Sequence, residues 1–417
     1  MKIAYITYQY PTLSQTFIQR EIKSVAALGL EIEVHAMRGR AIPFDHFIPP
    51  GVVIYPFSLL RLWTLIYKIP QELFRDPALI VRGIQFLQGK RWRGFDDFLI
   101  NLLGIGFAFA TVDRFRQSEV DHYHGVWATG MTTAAALLAK MTGKRFSMGA
   151  HAFDLYRHGG DSFLKEKLAR AVFIHTTTEA NVRYLRHLVP QSNVILSRRG
   201  LESLPDLSLK KSNSCFTILS VARLVPKKGL EYQIKICQEL KRQGFPFIHR
   251  IIGEGTLRDG LQKEIEAAGL QKEIQLLGAL SQKEVQEYYA QSDLFWHTGL
   301  VDAEGDRDGL PNVIPEAFSW GLCVLSSPTP GADEAVLHGE TGWISDPRQI
   351  ESTARAIQEL AVNQELRQKL GEEGRRWVEA HFMSSQNAMI LEKAFREFSL
   401  SASLESVGDH LSYPTHQ

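Results

Sequence analysis

Cysteine is scarce in this chain. Only three occur among 417 residues, Cys215, Cys237 and Cys323. An odd, scattered set excludes a disulfide framework and a cysteine-built zinc site, and it fits a reducing compartment. A dominant charge is missing too, since the formal net charge is +1. No global field draws the chain to nucleic acid, so attraction to any anionic surface must come from a local patch. Long apolar runs are also absent. The uncharged, apolar stretch Phe98 to Val112 is shorter than the roughly 20 residues a bilayer requires, and Gly104 and Gly106 interrupt it. The opening M-K-I-A-Y-I-T-Y-Q-Y-P alternates as a strand does and lacks the apolar core of a signal peptide. Finally, no G-x-G-x-x-G follows that first strand, which argues against a nicotinamide-dependent dehydrogenase. The expected location is the cytoplasm.

What is present describes a globular protein of two domains. Hydrophobic residues make up 44% and charged residues 22%, and the length exceeds one ordinary core. Lys2–Thr7 reads as a strand, about Gln15 to Leu28 as a helix with Gly29 beyond it, and Glu31–Ala36 as a second strand. Strands are expected near Val120–Tyr123, Arg145–Met148, Val172–Thr176 and Asn193–Leu196, with helices between. The polar Leu204–Asn213 marks a boundary. A second series then follows, with strands at Thr217–Val221, Ile248–Ile252, Ile274–Leu276, Leu294–His297 and Leu322–Ser326. Its helices are expected at Leu230–Gln243, Thr256–Ala268, Gln282–Gln291 and Val313–Trp320. The reading is α/β, two doubly wound parallel sheets, with domains at 1–205 and 206–380. A helix at 381–398 packs back on the first domain, and a disordered tail covers 399–417. In such folds ligands bind beyond the carboxyl ends of the strands.

Two constellations carry chemistry. In S-V-A-R-L-V-P-K-K-G, a strand ends at Ala222 and a helix starts at Leu230, so Arg223 and Lys228 stand where a ligand would lie. A guanidinium fork and a compact ammonium together suit a diphosphate. In D-G-L-P-N-V-I-P-E, Asp308 and Glu316 flank a loop-to-helix junction. Gly309 is expected to permit an unusual turn and Asn312 to cap the helix, whose first-turn amides would attract an anion. Glu316 could then accept from ribose hydroxyls, and Asp308 from those of a sugar.

With the Gly253-Glu254-Gly255 turn, Y-P-T-L-S-Q-T-F-I-Q-R-E and G-A-H-A-F-D-L-Y, these segments resemble the retaining GT-B glycosyltransferases of family 4. The N-terminal segments resemble bacterial exopolysaccharide and colanic-acid-type enzymes in particular. The resemblance implies two Rossmann-like domains facing a central cleft, the second holding a nucleotide-diphosphate sugar. It places Arg223 and Lys228 on the diphosphate and Glu316 at the ribose, with Gly309, Leu310, Pro311, Asn312 and Glu254 also on the donor side. Asp308 stands where the family's first glutamate stands, one methylene shorter. His151, after the strand Arg145–Met148, would sit close to the reacting sugar, with Asp154 nearby. Gln15 and Thr16, at the first strand–helix junction, belong to the acceptor side.

His122 and His124 lie on one face of a strand, but the sequence reveals no third ligand, and neither a metal nor a cofactor is expected. Residues 59–116 interleave Leu, Ile, Trp and Phe with basic residues, and Arg61, Lys68, Arg75 and Arg82 recur every seven positions. Pro70 and Pro77 preclude one continuous helix there. This segment is expected to meet an anionic membrane surface, at the inner face of the cell membrane, where a glycan or lipid-linked acceptor would lie. The function implied is hexose transfer in exopolysaccharide or cell-surface polysaccharide biosynthesis. A nucleotide-sugar epimerase and a non-catalytic nucleotide-binding partner protein are the alternatives.

Overall fold

A computed structural model describes residues 1–12, 16–39, 50–77, 92–210, 213–302, 305–329 and 331–400. Its first sheet contains β1 (Lys2–Thr7), β2 (Glu31–Ala36), β3 (Val52–Pro56), β4 (His122–Gly125), β5 (Arg145–Gly149), β6 (Ile174–Thr176) and β7 (Val194–Leu196). The second contains β8 (Thr217–Val221), β9 (Ile248–Ile252), β10 (Ile274–Gly278), β11 (Leu294–His297), β12 (Cys323–Ser326) and β13 (Trp343–Ile344). Their orders are β3-β2-β1-β4-β5-β6-β7 and β10-β9-β8-β11-β12-β13, and all the pairings are parallel. Parallel strands need crossovers and cover on both faces, so β1 and β11 are apolar along nearly their whole length and almost wholly buried.

Helices α1 (Thr16–Ala27), α2 (Leu65–Arg75), α3 (Phe95–Gln117), α4 (Gly130–Thr142), α5 (Phe153–Tyr156), α6 (Leu164–Arg170) and α7 (Glu179–Leu188) belong to the first domain. The second has α8 (Leu230–Arg242), α9 (Arg258–Ala267), α10 (Gln282–Ala290), α11 (Val313–Ser319), α12 (Ile350–Val362) and α13 (Gln364–His381). Helix α14 (Ser384–Leu400) returns to the first domain, where Leu391 and Phe395 enter the core around Tyr5, Phe115 and Phe173. The chain is pinned at this return, because Leu201 N–H donates to Phe382 O (2.7 Å) and Ser384 N–H to Leu201 O (2.8 Å). The expected disordered tail falls mostly at 401–417, outside the described residues.

Two sequence expectations change. Strands β3 and β13 were not expected; β3 buries its side chains without alternation, and β13 has only two residues. Gly104 and Gly106 do not interrupt α3, which is one helix of 23 residues. By length and composition it could cross a membrane, with a mean hydropathy of 1.5, and 44% of that stretch is buried inside the protein. The glycines serve packing: a methyl on Gly104 would collide with the Gly130 carbonyl, and one on Gly130 with the Ile100 carbonyl, so α3 and α4 touch backbone to backbone. Pro70 lies inside α2, after a short 3₁₀ turn at Leu59–Thr64.

Candidate functional site

The second domain offers its charged residues at strand ends, as the pattern required. After β8 the backbone runs through Arg223 into a 3₁₀ turn, Pro226–Lys228, and Gly229 takes a left-handed φ of 58° before α8. The Gly253-Glu254-Gly255 turn is moulded against this loop. Gly253 has a φ of 143°, and a methyl there would strike the Ala222 carbonyl oxygen; at Gly255 it would strike that of Leu224. The Glu254 carbonyl accepts from Leu224 N–H (2.9 Å), while its carboxylate is exposed and paired with Arg258 (2.9 Å). Arg223 is exposed, and among the described residues its guanidinium has no ion-pair partner.

Lys228 is not idle. Its ammonium donates to Asp308 Oδ2, and Lys227 reaches Asp308 Oδ1 at 3.4 Å and Asp306 Oδ2 at 3.0 Å. Burial opposes charge on Asp308, but Lys228 and Lys227 outweigh it and hold the carboxyl well below the usual carboxylate range. The dipeptide Lys227–Lys228 therefore works as a clamp. No role was expected for Lys227, because side-by-side lysines usually point to solvent.

Glu316 is also engaged. Arg20 of α1 approaches Glu316 Oε1 at 3.4 Å across the domains, and Tyr289 donates its hydroxyl to Oε2 at 3.4 Å. Burial raises the Glu316 carboxyl above its ordinary value, with Arg20 pulling the other way. Arg20 lies within the Y-P-T-L-S-Q-T-F-I-Q-R-E segment, so its motif was visible and its partner was not.

Two expectations for this loop need correction. Asn312 occupies the N-cap position of α11 but makes no capping bond; its Oδ1 is buried without a partner. Its helical dihedrals, φ −57° and ψ −28°, point the side chain away from the first-turn amides. With α11 spanning only Val313–Ser319, its dipole adds little to the charges of Arg223 and the lysines. Gly309 is not left-handed either. Nor does close approach require it, since a methyl on Gly309 would reach only ordinary van der Waals contact, 3.4 Å from His151 O; the tight position is Gly331, where a methyl would lie 2.6 Å from the Gly309 carbonyl carbon. Leu310 and Pro311 are buried beside it.

That approach brings the two domains together at His151. The imidazole is buried and packs edge-on to Trp127 (5.4 Å between centroids) and His175 (5.0 Å). Burial, then His175 and Arg199, push it well below the ordinary histidine value, so the ring is neutral, and its Nδ1 has no hydrogen-bond partner. Asp154 has a different role from the expected acceptor contact. Its carboxylate accepts from the backbone N–H groups of Ala152 (2.7 Å), Ala128 (3.1 Å) and His151 (3.2 Å), so it fixes the histidine loop. Arg307 extends the junction by lying 3.9 Å over the Tyr156 ring. Gln15 lies outside the described residues, and Thr16 is described only as the first backbone position of α1.

His122 and His124 share one face, and both rings bond Ser147 Oγ, at 2.7 and 2.8 Å. The tertiary structure supplies what the sequence reading missed: ligand atoms of Glu21, His124 and His175 lie within 4.8 Å of one another. His175 Nε2 bonds the Ser197 carbonyl at 2.9 Å, leaving Nδ1 toward Glu21 at 3.7 Å. His122 stands apart from this group, its Nδ1 bonded to Ser399 Oγ.

Two parallel α/β domains meeting across a cleft, with basic residues and paired carboxylates at the strand ends of the second, define a GT-B glycosyltransferase. The chain belongs to the family of glycosyl transferases group 1, whose model matches residues 208–377. WcaL of Escherichia coli, provisionally named as a colanic acid biosynthesis glycosyltransferase, is 32% identical over 380 residues, covering 88% of this chain and 91% of that protein. The amylovoran biosynthesis glycosyltransferase AmsK of Erwinia amylovora is 26% identical over 396 residues, covering 87% and 91%. Among solved structures, Anabaena HepE in complex with UDP superposes with a TM-score of 0.67 at 16% identity, covering 95% of this chain and 99% of that one.

Proposed function

We propose that the protein is a retaining, metal-independent hexosyltransferase. It moves a hexose from a nucleotide-diphosphate sugar to a glycan or lipid-linked acceptor in exopolysaccharide or cell-surface polysaccharide biosynthesis, working in the cytoplasm at the inner face of the membrane. One observation carries this reading: Lys228, Lys227 and Asp308 form a charged knot at the strand ends of the second domain, where a loop from the first brings His151 against Gly309. The names of the relatives support the pathway class.

In this reading Arg223 and Lys228 receive the diphosphate, and their fixed charges stabilise the leaving group as a bound metal would elsewhere. Lys228 exchanges its carboxylate partner for phosphate oxygens, which turns Asp308 toward the hydroxyls of the sugar. Glu316 accepts from the ribose. The bond from the anomeric carbon to the phosphate oxygen breaks while the acceptor hydroxyl attacks the same face, and its proton passes to the departing phosphate. His151, neutral at physiological pH, contributes a hydrogen bond and shape but no charge. Domain contact excludes water and favours transfer over hydrolysis.

Lys228→Ala tests this directly. Transfer should fall by about 10²–10³, the scale of one lost transition-state donor, with the circular dichroism spectrum unchanged. Near-normal turnover would remove Lys228 from the site. Product analysis separates the alternatives: isomerised free donor identifies an epimerase, and unconsumed donor across a panel identifies a non-catalytic binder. An inverted anomeric centre overturns retention, and loss of activity with a chelator overturns metal independence.

A further inference from the structure

The first domain presents an apolar stripe to solvent. Across the 3₁₀ turn Leu59–Thr64 and α2, the exposed positions Leu60, Trp63, Tyr67, Pro70 and Phe74 recur at intervals of three and four, which is one helical face. Leu60 is 83% exposed, Trp63 65% and Phe74 88%. A face of this kind ordinarily packs inward; here the inward side is taken by Leu62 and Leu65, which pack toward Gly106 of α3. Helix α3 adds exposed Phe95, Leu99 and Leu102, again at helical spacing.

Between Leu59 and Arg75 the exposed charge has one sign. Glu72 is the only acid between Leu59 and Arg75, and it is turned inward, 1% exposed and neutralised by Arg116 and Arg75. Lys68 turns toward Asp113. Arg61 is left exposed with no side-chain partner among the described residues, and the Arg75 side chain is half exposed. A stripe of Trp, Tyr, Phe and Leu with Arg61 and Arg75 beside it, and with the exposed Asp96 confined to the α3 end, has the chemistry of a helix lying in a lipid interface. A second protein copy would need a complementary acidic or apolar surface, whereas an anionic bilayer matches both properties of this face at once.

The stripe also connects to the candidate site. The start of α3 is tied to the loop that follows the His151 motif: Ser162 donates to Asp97, Asn101 donates to Asp161 (2.8 Å), and Trp92 packs edge-on to Phe163 (5.1 Å). We infer that Leu60, Trp63, Tyr67 and Phe74 insert into the interface of an anionic lipid bilayer and seat the first domain on the membrane. The inference rests on the proposed reaction only for its purpose, delivery of a lipid-linked acceptor to the cleft.

The test is co-sedimentation of the full chain with vesicles of phosphatidylcholine, with and without phosphatidylglycerol, at low salt. The wild type should pellet with the anionic vesicles, and Trp63→Gln/Phe74→Gln should partition at least about tenfold less, since two large aromatic side chains lose their apolar transfer. Thermal shifts with a nucleoside diphosphate, run on both proteins, should be equal. Failure of the wild type to pellet, or equal pelleting of the variant, overturns the inference. So does self-association in light scattering that the variant abolishes without vesicle binding, which would assign the stripe to a second copy. Failure of nucleoside diphosphate to shift either protein would count against the proposed reaction and leave the membrane result standing.

Discussion

Asp308→Asn is the most informative single change, because it keeps the shape of the side chain and removes only its charge. Asp308 sits between Lys228, whose side chain is 11% exposed, and Lys227, at 9%. Lys227 keeps Asp306 at 3.0 Å in the variant, so one ammonium, that of Lys228, is orphaned. Breaking a buried pair costs about 3–5 kcal/mol. With one lysine still compensated, we expect a loss of about 3 kcal/mol at neutral pH, the low end of that range. The pH dependence has a definite sign. Because the folded-state carboxyl of Asp308 is depressed, its contribution is complete above the unfolded value of about 4 and is lost only as pH falls through the lowered folded value. The wild-type advantage should therefore persist at mildly acidic pH and disappear only in strong acid. A nucleoside diphosphate should stabilise the variant more than the wild type, since the freed lysine no longer has a competing carboxylate. Urea denaturation with and without the ligand measures both effects. A stability change below about 0.5 kcal/mol, the scale of surface substitutions, would refute the reasoning, as would a smaller ligand effect in the variant.

Arg20→Ala removes the cation that opposes protonation of buried Glu316. Nucleoside diphosphate binding by the variant should then weaken with falling pH sooner than binding by the wild type, because the Glu316 carboxyl, already raised by burial, loses the cation that lowers it. Calorimetry that gave the same pH profile for both proteins would defeat this. Burial depresses His122 to about 3, His249 to about 3 and His297 to about 4, and holds His124 and His151 well below the ordinary value. These groups take up protons mainly on unfolding, so stability should fall below pH 6.5 by up to about 1.4 kcal/mol per histidine per pH unit. A urea midpoint that stays flat between about pH 7 and 5.5 contradicts that. Gly253→Ala places a methyl against the Ala222 carbonyl at a backbone φ that side chains rarely adopt. It should displace the Arg223 loop and lower both thermal stability and nucleotide binding; wild-type values for both would show the turn to be dispensable.

The local signals in this sequence are strong where packing repeats them. Thr217–Val221, Ile248–Ile252 and Leu294–His297 are strands with the expected limits, because a strand largely buried on both faces is predominantly apolar. Strands β3 and β13 and the continuity of α3 were hidden: β3 buries its side chains without alternation, β13 has two residues, and in α3 Gly104 packs on the Gly130 carbonyl and Gly106 beside Leu62 and Leu65 without breaking the helix. The site was legible in part. Arg223 and Lys228 could be selected because they follow the strand Thr217–Val221, and Asp308 and Glu316 because they flank a loop-to-helix junction.

Their partners could not be selected. Arg20 meets Glu316 across 296 positions of chain, and Lys227 meets Asp308 across the second sheet. Asp154 turned out to serve the backbone of its own loop, a choice made by side-chain direction and not by spacing. Periodicity and residue type thus determined the two sheets and the charged residues of the candidate site, because those depend on interactions local in sequence. Tertiary structure alone decided which charges neutralise one another, which histidines face Glu21, and which apolar stripe remains uncovered. Pairing, burial and exposure are properties of neighbours that are distant along the chain.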